Sequence, residues 1–127
     1  MLVSLTALNQ NEIVGHVMLS RLAVTLDDRV IEAAALAPVA VRPDRQRQGV
    51  GSALISAALD HARLCNVEAV FVLGHAAYYP RFGFSPALAA KFEAPFRGDT
   101  FMALELKPDA MAGTTGVVRY PRAWGIG

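Results

Sequence analysis

Three short stretches of this chain carry residue types that could do chemistry. The first is RPDRQRQGVGSAL, from Arg42 to Leu54. Arg42, Arg45 and Arg47 surround the approach to a Gly-x-Gly, and an apolar-periodic run follows. Backbone N–H groups at the start of a helix have no partner inside the helix, and the helix dipole favours negative charge there. Gly49 and Gly51 let the chain turn tightly and come close to a ligand with no Cβ in the way. These residues suit an anion cradle. They equally suit a helix start flanked by solvated arginines. Two nucleotide readings fail on spacing. The fingerprint G-x-G-x-x-G needs Gly where Leu54 stands, and G-x-x-x-x-G-K-[ST] needs a Lys that does not follow Gly51.

The second stretch is LAPVAV, from Leu36 to Val41. Pro38 has no N–H, so it fits poorly inside a paired central strand. It marks either a bulge, where freed backbone groups beside Val39 and Val41 could pair with an extended ligand, or a simple edge strand. The third is HAAYYPRFGF, from His75 to Phe84. A tyrosine O–H can give a proton to a leaving group. Tyr78 and Tyr79 can also be packing aromatics with one wet end.

Local patterns indicate the elements that position these stretches. Leu2 to Leu8 reads as a strand, Asn9 to Glu12 as a turn and Ile13 to Leu22 as the next strand, together a hairpin. Asp27-Asp28-Arg29 marks a turn, and Val30 to Val41 a third strand, interrupted or bulged near Pro38. From Val50 to Leu64 the period changes to that of a helix. Val50, Leu54, Ile55, Ala57, Ala58, Leu59 and Ala62 form its apolar face, and Ser52, Ser56, Asp60 and Arg63 its polar stripe. Asn66 is placed to end it. Ala69 to Leu73 is a continuous apolar run, as in a parallel strand covered on both faces, so strand, helix and strand form one βαβ unit. A short helix is expected over Ala76 to Phe82, closed by Gly83. Ser85 to Asp99 reads as loop-rich, Phe101 to Leu106 and Gly116 to Tyr120 as strands, and the tail from Trp124 as irregular.

At 127 residues the chain is expected to form one domain, 1–127, with a core that needs no disulfide or metal. The single Cys65 excludes an internal disulfide, and its helical surroundings suggest a buried, inert thiol. A net charge of +1 argues against nucleic acid or membrane as the main partner. The stretch AAALAPVAV is far shorter than the roughly 20 residues a membrane span needs, and MLVSLTALNQNE lacks the features of a signal peptide. The expected location is cytoplasmic. No His, Cys or carboxylate cluster has metal-ligand spacing.

Together the three stretches resemble the GNAT superfamily of acyl-CoA-dependent N-acetyltransferases. QRQGVG, Gln46 to Gly51, matches that family's [QR]-x-x-G-x-[GA] at every fixed position, and YYPRFGF looks like its Y-x-x-x-G-F segment with Tyr79 in the Tyr position. The resemblance covers roughly Ile13 to Leu106. It implies an α/β (α+β) fold: a mixed, mostly antiparallel sheet with a central βαβ unit and parallel strands that splay apart. It implies acetyl-CoA as cosubstrate, with no metal, and a small-molecule or peptide amine as acceptor. Val39 and Val41 would pair with the pantetheine arm, and a backbone amide near Val39 could polarise the thioester carbonyl. Backbone groups across Gln46, Arg47, Gln48, Gly49, Val50, Gly51 and Ser52 would hold the pyrophosphate, and Arg42, Arg45 or Arg47 could reach other phosphates. Tyr79 would protonate the departing thiolate, with Tyr78 as the neighbouring candidate. The base that takes the amine's proton could be His75, Glu32 or His16.

The chain starts late for this family. The usual first strand and two helices, which wall the acceptor site, are expected to be missing, and the apolar surface so exposed would be covered by a homodimer or another partner contact. The alternative reading is a non-catalytic acyl-CoA-binding domain, or an interaction protein that keeps the fold.

Overall fold

The computed structural model describes residues 3–46, 49–96 and 98–120. Strand β1 (Val3–Asn9) turns into β2 (Glu12–Leu26), which turns into β3 (Arg29–Val41). Both turns have two central residues, and in both these have positive φ: Gln10 at 53° with Asn11 at 69°, and Asp27 at 49° with Asp28 at 66°. Such turns match the right-handed twist of paired strands, and Asn and Asp tolerate that backbone best after Gly. Helix α1 (Val50–Leu64) follows, then β4 (Ala69–Leu73), a 3₁₀ turn at Tyr79–Phe82, a four-residue helix α2 (Pro86–Ala89), and strands β5 (Phe92–Glu93), β6 (Phe101–Glu105) and β7 (Gly116–Arg119). The seven strands form one mixed sheet, ordered β5-β7-β2-β3-β4-β6, with β1 paired to β2. All pairs are antiparallel except β3 with β4 and β5 with β7.

The sheet is buried on both faces. Val17, Leu19, Ala34, Leu36, Val70 and Val72 pack under α1 against its Leu54, Ile55, Ala58, Leu59 and Ala62. Leu22, Val24, Ile31, Ala33, Ala35 and Phe71 face the other way, under Ala89, Phe92 and Met111. This explains why β3 and β4 read as unbroken apolar runs. Gly15 lets the start of α1 settle on β2, since a Cβ there would stand 2.8 Å from Leu54 Cδ1. The helix ends as Asn66 enters the left-handed region at φ 62°. Its N–H donates to Arg63 O at 3.1 Å and that of Val67 to Ala62 O at 3.0 Å, the double bond that closes a Schellman end.

Two features of β3 prepare the site. Val17 pairs with Val39 but Leu19 with Leu36, so Ala37 and Pro38 together oppose Met18. The extra residue falls where Pro38 has no N–H to give the ladder. The parallel ladder to β4 is short: Ala33, Ala34 and Ala35 pair with Ala69, Val70 and Phe71, and β3 then runs on to Val41 with no β4 partner among the described residues.

Several expectations need correction. The helix expected over Ala76–Phe82 is only the 3₁₀ turn at Tyr79–Phe82, because Pro80 has no N–H and Gly83, at φ 97°, closes the turn. The stretch expected to be loop-rich also holds the short α2 and β5. Cys65 is exposed, because it caps α1 one step past Leu64, where the chain leaves the core. The tail from Trp124 lies outside the described residues. No helix among the described residues is long and apolar enough to cross a membrane.

Candidate active site

The ends of β3 and β4 and the start of α1 enclose a cavity of about 630 Å³. Val41 lines it from β3. Gln46, Gly49, Gly51 and Ser52 line it from the loop and the first turn of α1, and His75, Tyr78, Tyr79 and Arg81 from the segment after β4. All three stretches singled out by their chemistry therefore meet in one cleft.

Gly49 caps α1 with φ 81° and leaves its first turn without any side-chain cap. Gly49 O accepts from Ala53 N at 2.9 Å, so the ladder starts there and the preceding N–H groups stay open to a ligand. That backbone costs a side chain about 1 kcal/mol or more and costs Gly nothing. Gly51 has a different reason. A Cβ there would lie 3.6 Å from Val41 Cγ2 and 3.7 Å from Tyr78 Oη, so the protein has room for it, and the space it would take is cleft. Gln46 Nε2 donates to Val41 O at 3.3 Å and ties the loop to the strand end.

Tyr78 and Tyr79 take different positions. The half-buried Tyr78 Oη is 2.8 Å from Ser52 Oγ, with either atom able to donate. Its ring lies under Arg81, whose guanidinium carbon is 4.4 Å from the ring centre and whose Nε donates to Tyr78 O at 3.0 Å. Tyr79 is buried: its ring meets Tyr78 and Phe84 edge-on at 5.2 and 5.8 Å and lies on Gly74. Its hydroxyl has no hydrogen-bond partner among the described residues. Burial first, and the neighbouring Tyr78 second, hold its pKa above the ordinary phenol value of 10.0. The group therefore stays protonated and able to donate. His75 is exposed at the cleft, and its carbonyl accepts from the N–H groups of Tyr78 and Tyr79 at 3.0 and 3.2 Å.

Other candidates fall elsewhere. Glu32 stands at the opposite end of β3 from Val41, about 30 Å away along the strand, and pairs with Arg21 at 3.2 Å. It is no base for this cleft. His16 Nε2 lies 3.0 Å from Ser4 Oγ on β1, on the face of β2 away from α1. Arg42, expected to reach a phosphate, is held by Glu12 at 3.0 Å and Asp44 at 2.8 Å. Those carboxylates, Glu12 first, raise its pKa further. Arg47 and Gln48 lie outside the described residues, as do the side chains of Val39 and Arg45; the backbone of Val39 pairs with Val17. Arg81 and the Ser52–Tyr78 bond were not anticipated. The placement of Arg81 three residues after Tyr78, across a Pro, is the one local signal for its stacking. Among the described residues no group of three metal-ligating side chains occurs.

An uncapped helix start, a strand end with no β4 partner among the described residues and a tyrosine held in its protonated form line one cleft, and residues 3–87 match the family model of the acetyltransferase (GNAT) domain. The chain belongs to the GNAT family. This GNAT domain is 42% identical over 96 residues to the uncharacterized N-acetyltransferase YjhQ of Escherichia coli K12, an alignment covering 73% of the chain and 52% of YjhQ. It is 31% identical over 114 residues to the uncharacterized N-acetyltransferase YhbS of the same strain, covering 88% of the chain and 67% of YhbS. It thus spans about half the length of the first relative and two-thirds of the second. The crystal structure of E. coli YhbS in complex with CoA superposes with a TM-score of 0.83 at 29% identity, covering 96% of this chain and 68% of that one. A GNAT acetyltransferase from Brucella melitensis in complex with acetyl-CoA gives 0.71 at 30% identity, covering 95% and 67%. The mixed, curled, mostly antiparallel sheet is the one these neighbours share.

Proposed function

We propose that this GNAT domain moves an acetyl group from acetyl-CoA to a primary amine by direct attack. The observation that carries the reading is Tyr79: a buried phenol whose hydroxyl has no hydrogen-bond partner among the described residues, lining the same cleft as the uncapped start of α1. Relatives of the fold bind CoA and acetyl-CoA, and the residues here fit that group. The open N–H groups of Val50, Gly51 and Ser52, with the loop from Gln46 to Gly49, take the pyrophosphate. Arg81 supplies positive charge at the rim. The backbone at Val39 and Val41, which pairs with β2 and has no β4 partner among the described residues, takes the pantetheine arm on its β4 side, and an amide near Val39 polarises the thioester carbonyl.

Acetyl-CoA supplies the acetyl thioester, whose C–S bond breaks as the C–N bond to the amine forms. Tyr79 gives its proton to the departing sulfur. His75, directly or through water, takes the proton that the nitrogen loses. Tyr78 is the neighbouring candidate acid, and through Ser52 it positions the first turn of α1.

Isothermal titration with acetyl-CoA and thiol release with a panel of amines test this. Binding with amine-dependent release is expected. Binding without release in any amine leaves an acyl-CoA-binding domain, and no heat at high micromolar acetyl-CoA overturns both. A second copy of the chain is the proposed cover for the β1–β2 tip, where Leu8 and Ile13 pair across the hairpin and are 62% and 60% exposed. A stable monomer in sedimentation at micromolar concentration would rule it out.

A further inference from the structure

The 3₁₀ turn at Tyr79–Phe82 carries Arg81 and ties it to Tyr78 three times. The N–H and the Nε of Arg81 both donate to Tyr78 O, at 3.3 and 3.0 Å. Its guanidinium carbon stands 4.4 Å from the centre of the Tyr78 ring. That ring is itself held: Tyr79 and Phe82 meet it edge-on at 5.2 and 5.4 Å, and its hydroxyl ends 2.8 Å from Ser52 Oγ. An exposed arginine ordinarily keeps its rotamer freedom, and fixing it costs about 2 kcal/mol. Here much of that ordering is complete before any ligand arrives.

The fixed guanidinium still has donors to give. A guanidinium carries five N–H groups. Nε spends one on Tyr78 O, and the η nitrogens of Arg81 have no hydrogen bond or ion pair among the described residues. Arg42 is the contrast, with its Nε and both η nitrogens committed to Asp44 and Glu12. Arg81 therefore brings to the cleft an oriented fork of N–H groups, the geometry that takes two oxygens of one phosphate at once.

The same cavity is lined by Gly49, Gly51 and Ser52 at the uncapped start of α1. Tyr78 spans the two sets of donors. Its hydroxyl is bonded to Ser52, and a Cβ at Gly51 would lie 3.7 Å from that hydroxyl, while its ring and carbonyl hold Arg81. The fork and the open N–H groups thus stand one tyrosine apart, at fixed spacing. A single phosphate seated on the helix start uses the N–H groups. A diphosphate brings a second anionic group, with oxygens left over for the fork.

We propose that Arg81 is a ligand of the cofactor's diphosphate, which the first turn of α1 takes with backbone N–H groups and Arg81 with its η nitrogens. The pair makes the cleft selective for acyl carriers that contain a diphosphate over those that offer the thiol arm alone. The inference rests on the acyl-CoA part of the proposed function. Its test is binding by the full chain, as wild type and as Arg81→Gln, a change at an exposed site whose fold is checked by thermal unfolding. CoA and dephospho-CoA share the diphosphate and differ in the 3′-phosphate, and both are titrated by calorimetry. Pantetheine has no phosphate and is followed by backbone amide shifts. Arg81→Gln is expected to weaken CoA and dephospho-CoA alike, by about 10-fold, and to leave pantetheine unchanged. The CoA affinity of the wild type should also fall more steeply with added salt than that of the variant. A loss seen with CoA and not with dephospho-CoA overturns the inference, because Arg81 then reads the 3′-phosphate. An equal loss with pantetheine overturns it too, because Arg81 then only shapes the cleft through Tyr78. So do equal salt slopes. CoA binding that ignores Arg81→Gln fails this inference alone, whereas a wild-type chain that binds no CoA fails the acyl-CoA reading and the inference with it.

Discussion

The ring of Tyr79 lies against Gly74, so close that a Cβ added at Gly74 would collide with its Cε2. The contact joins the end of β4 to the 3₁₀ turn and fixes where the Tyr79 hydroxyl stands. Gly74→Ala therefore has to push the ring away. The expected cost is about 1–3 kcal/mol of stability, as for other overpacked sites, together with a fall in turnover. Thermal unfolding and steady-state kinetics on the same preparation check it. An unchanged turnover would mean that the ring position does not matter to the reaction.

Tyr79→Phe removes a hydroxyl that no described residue bonds. Folding stability should change by less than about 1 kcal/mol, since no protein hydrogen bond is lost. Turnover should drop by about 100-fold, with acetyl-CoA affinity unchanged. The same residue sets a pH limit. Its pKa is raised in the fold, so the donating form persists as pH rises past 10.0, the ordinary value, and is lost only beyond it. The wild-type rate should show no alkaline fall from this group below that point, measured with amines whose own titration is corrected for.

Gly49 and Gly51 should fail differently. Gly49→Val forces a β-branched residue into φ 81° and should destabilise the chain by about 1–2 kcal/mol as well as weaken cofactor binding. Gly51→Val meets no strained backbone, and its side chain enters the cleft beside Tyr78. It should keep the melting temperature and abolish acetyl-CoA binding by calorimetry.

The Ser52–Tyr78 pair invites a double-mutant cycle. Ser52→Ala and Tyr78→Phe each remove one side of a 2.8 Å bond. A coupling of about 1 kcal/mol in acetyl-CoA affinity or in stability is expected. Strict additivity would show that the two hydroxyls act separately.

Asp27 gives an acid-stability prediction. Its carboxylate accepts from Thr114 N at 2.9 Å and Thr115 N at 3.0 Å. These two bonds, Thr115 first, hold its pKa below 3.8. A depressed folded pKa means that the stabilisation is complete above 3.8 and is lost as pH falls through the lower folded value. Asp27→Asn should be less stable at neutral pH and should show a shallower loss of melting temperature on acidification, followed by circular dichroism from about pH 5 downward.

Much of this fold was legible residue by residue. Val50–Leu64 and Ala69–Leu73 were both readable to the residue, because a helical period and an unbroken apolar run are dense signals. Pro38 pointed to a bulge or an edge strand through its missing N–H, the register with β2 made it a bulge, and Asn66 marked the helix end through its tolerance of positive φ. β2 ran longer than its pattern. β2 reaches Leu26 because its two halves are buried on opposite faces, so its alternation serves α1 first and Phe92 later.

The cleft was legible as a set of stretches and not as an arrangement. Glu32 and His75 were equal candidates in the chain, yet the parallel register puts one at each end of the sheet. Arg42 looked available until β2 brought Glu12 to it. Ser52 was legible as part of the polar stripe and of the pyrophosphate loop, and its bond to Tyr78 was not.

Local order thus carried everything that depends on the backbone preferences of a few neighbouring residues: turns, caps, the helix, the bulge and the glycine loop. Long-range packing carried which charges are spent on one another, which tyrosine is buried against Gly74 and which stays bonded to Ser52. Those outcomes turn on distances between residues far apart in the chain, and such distances exist only once the sheet has closed.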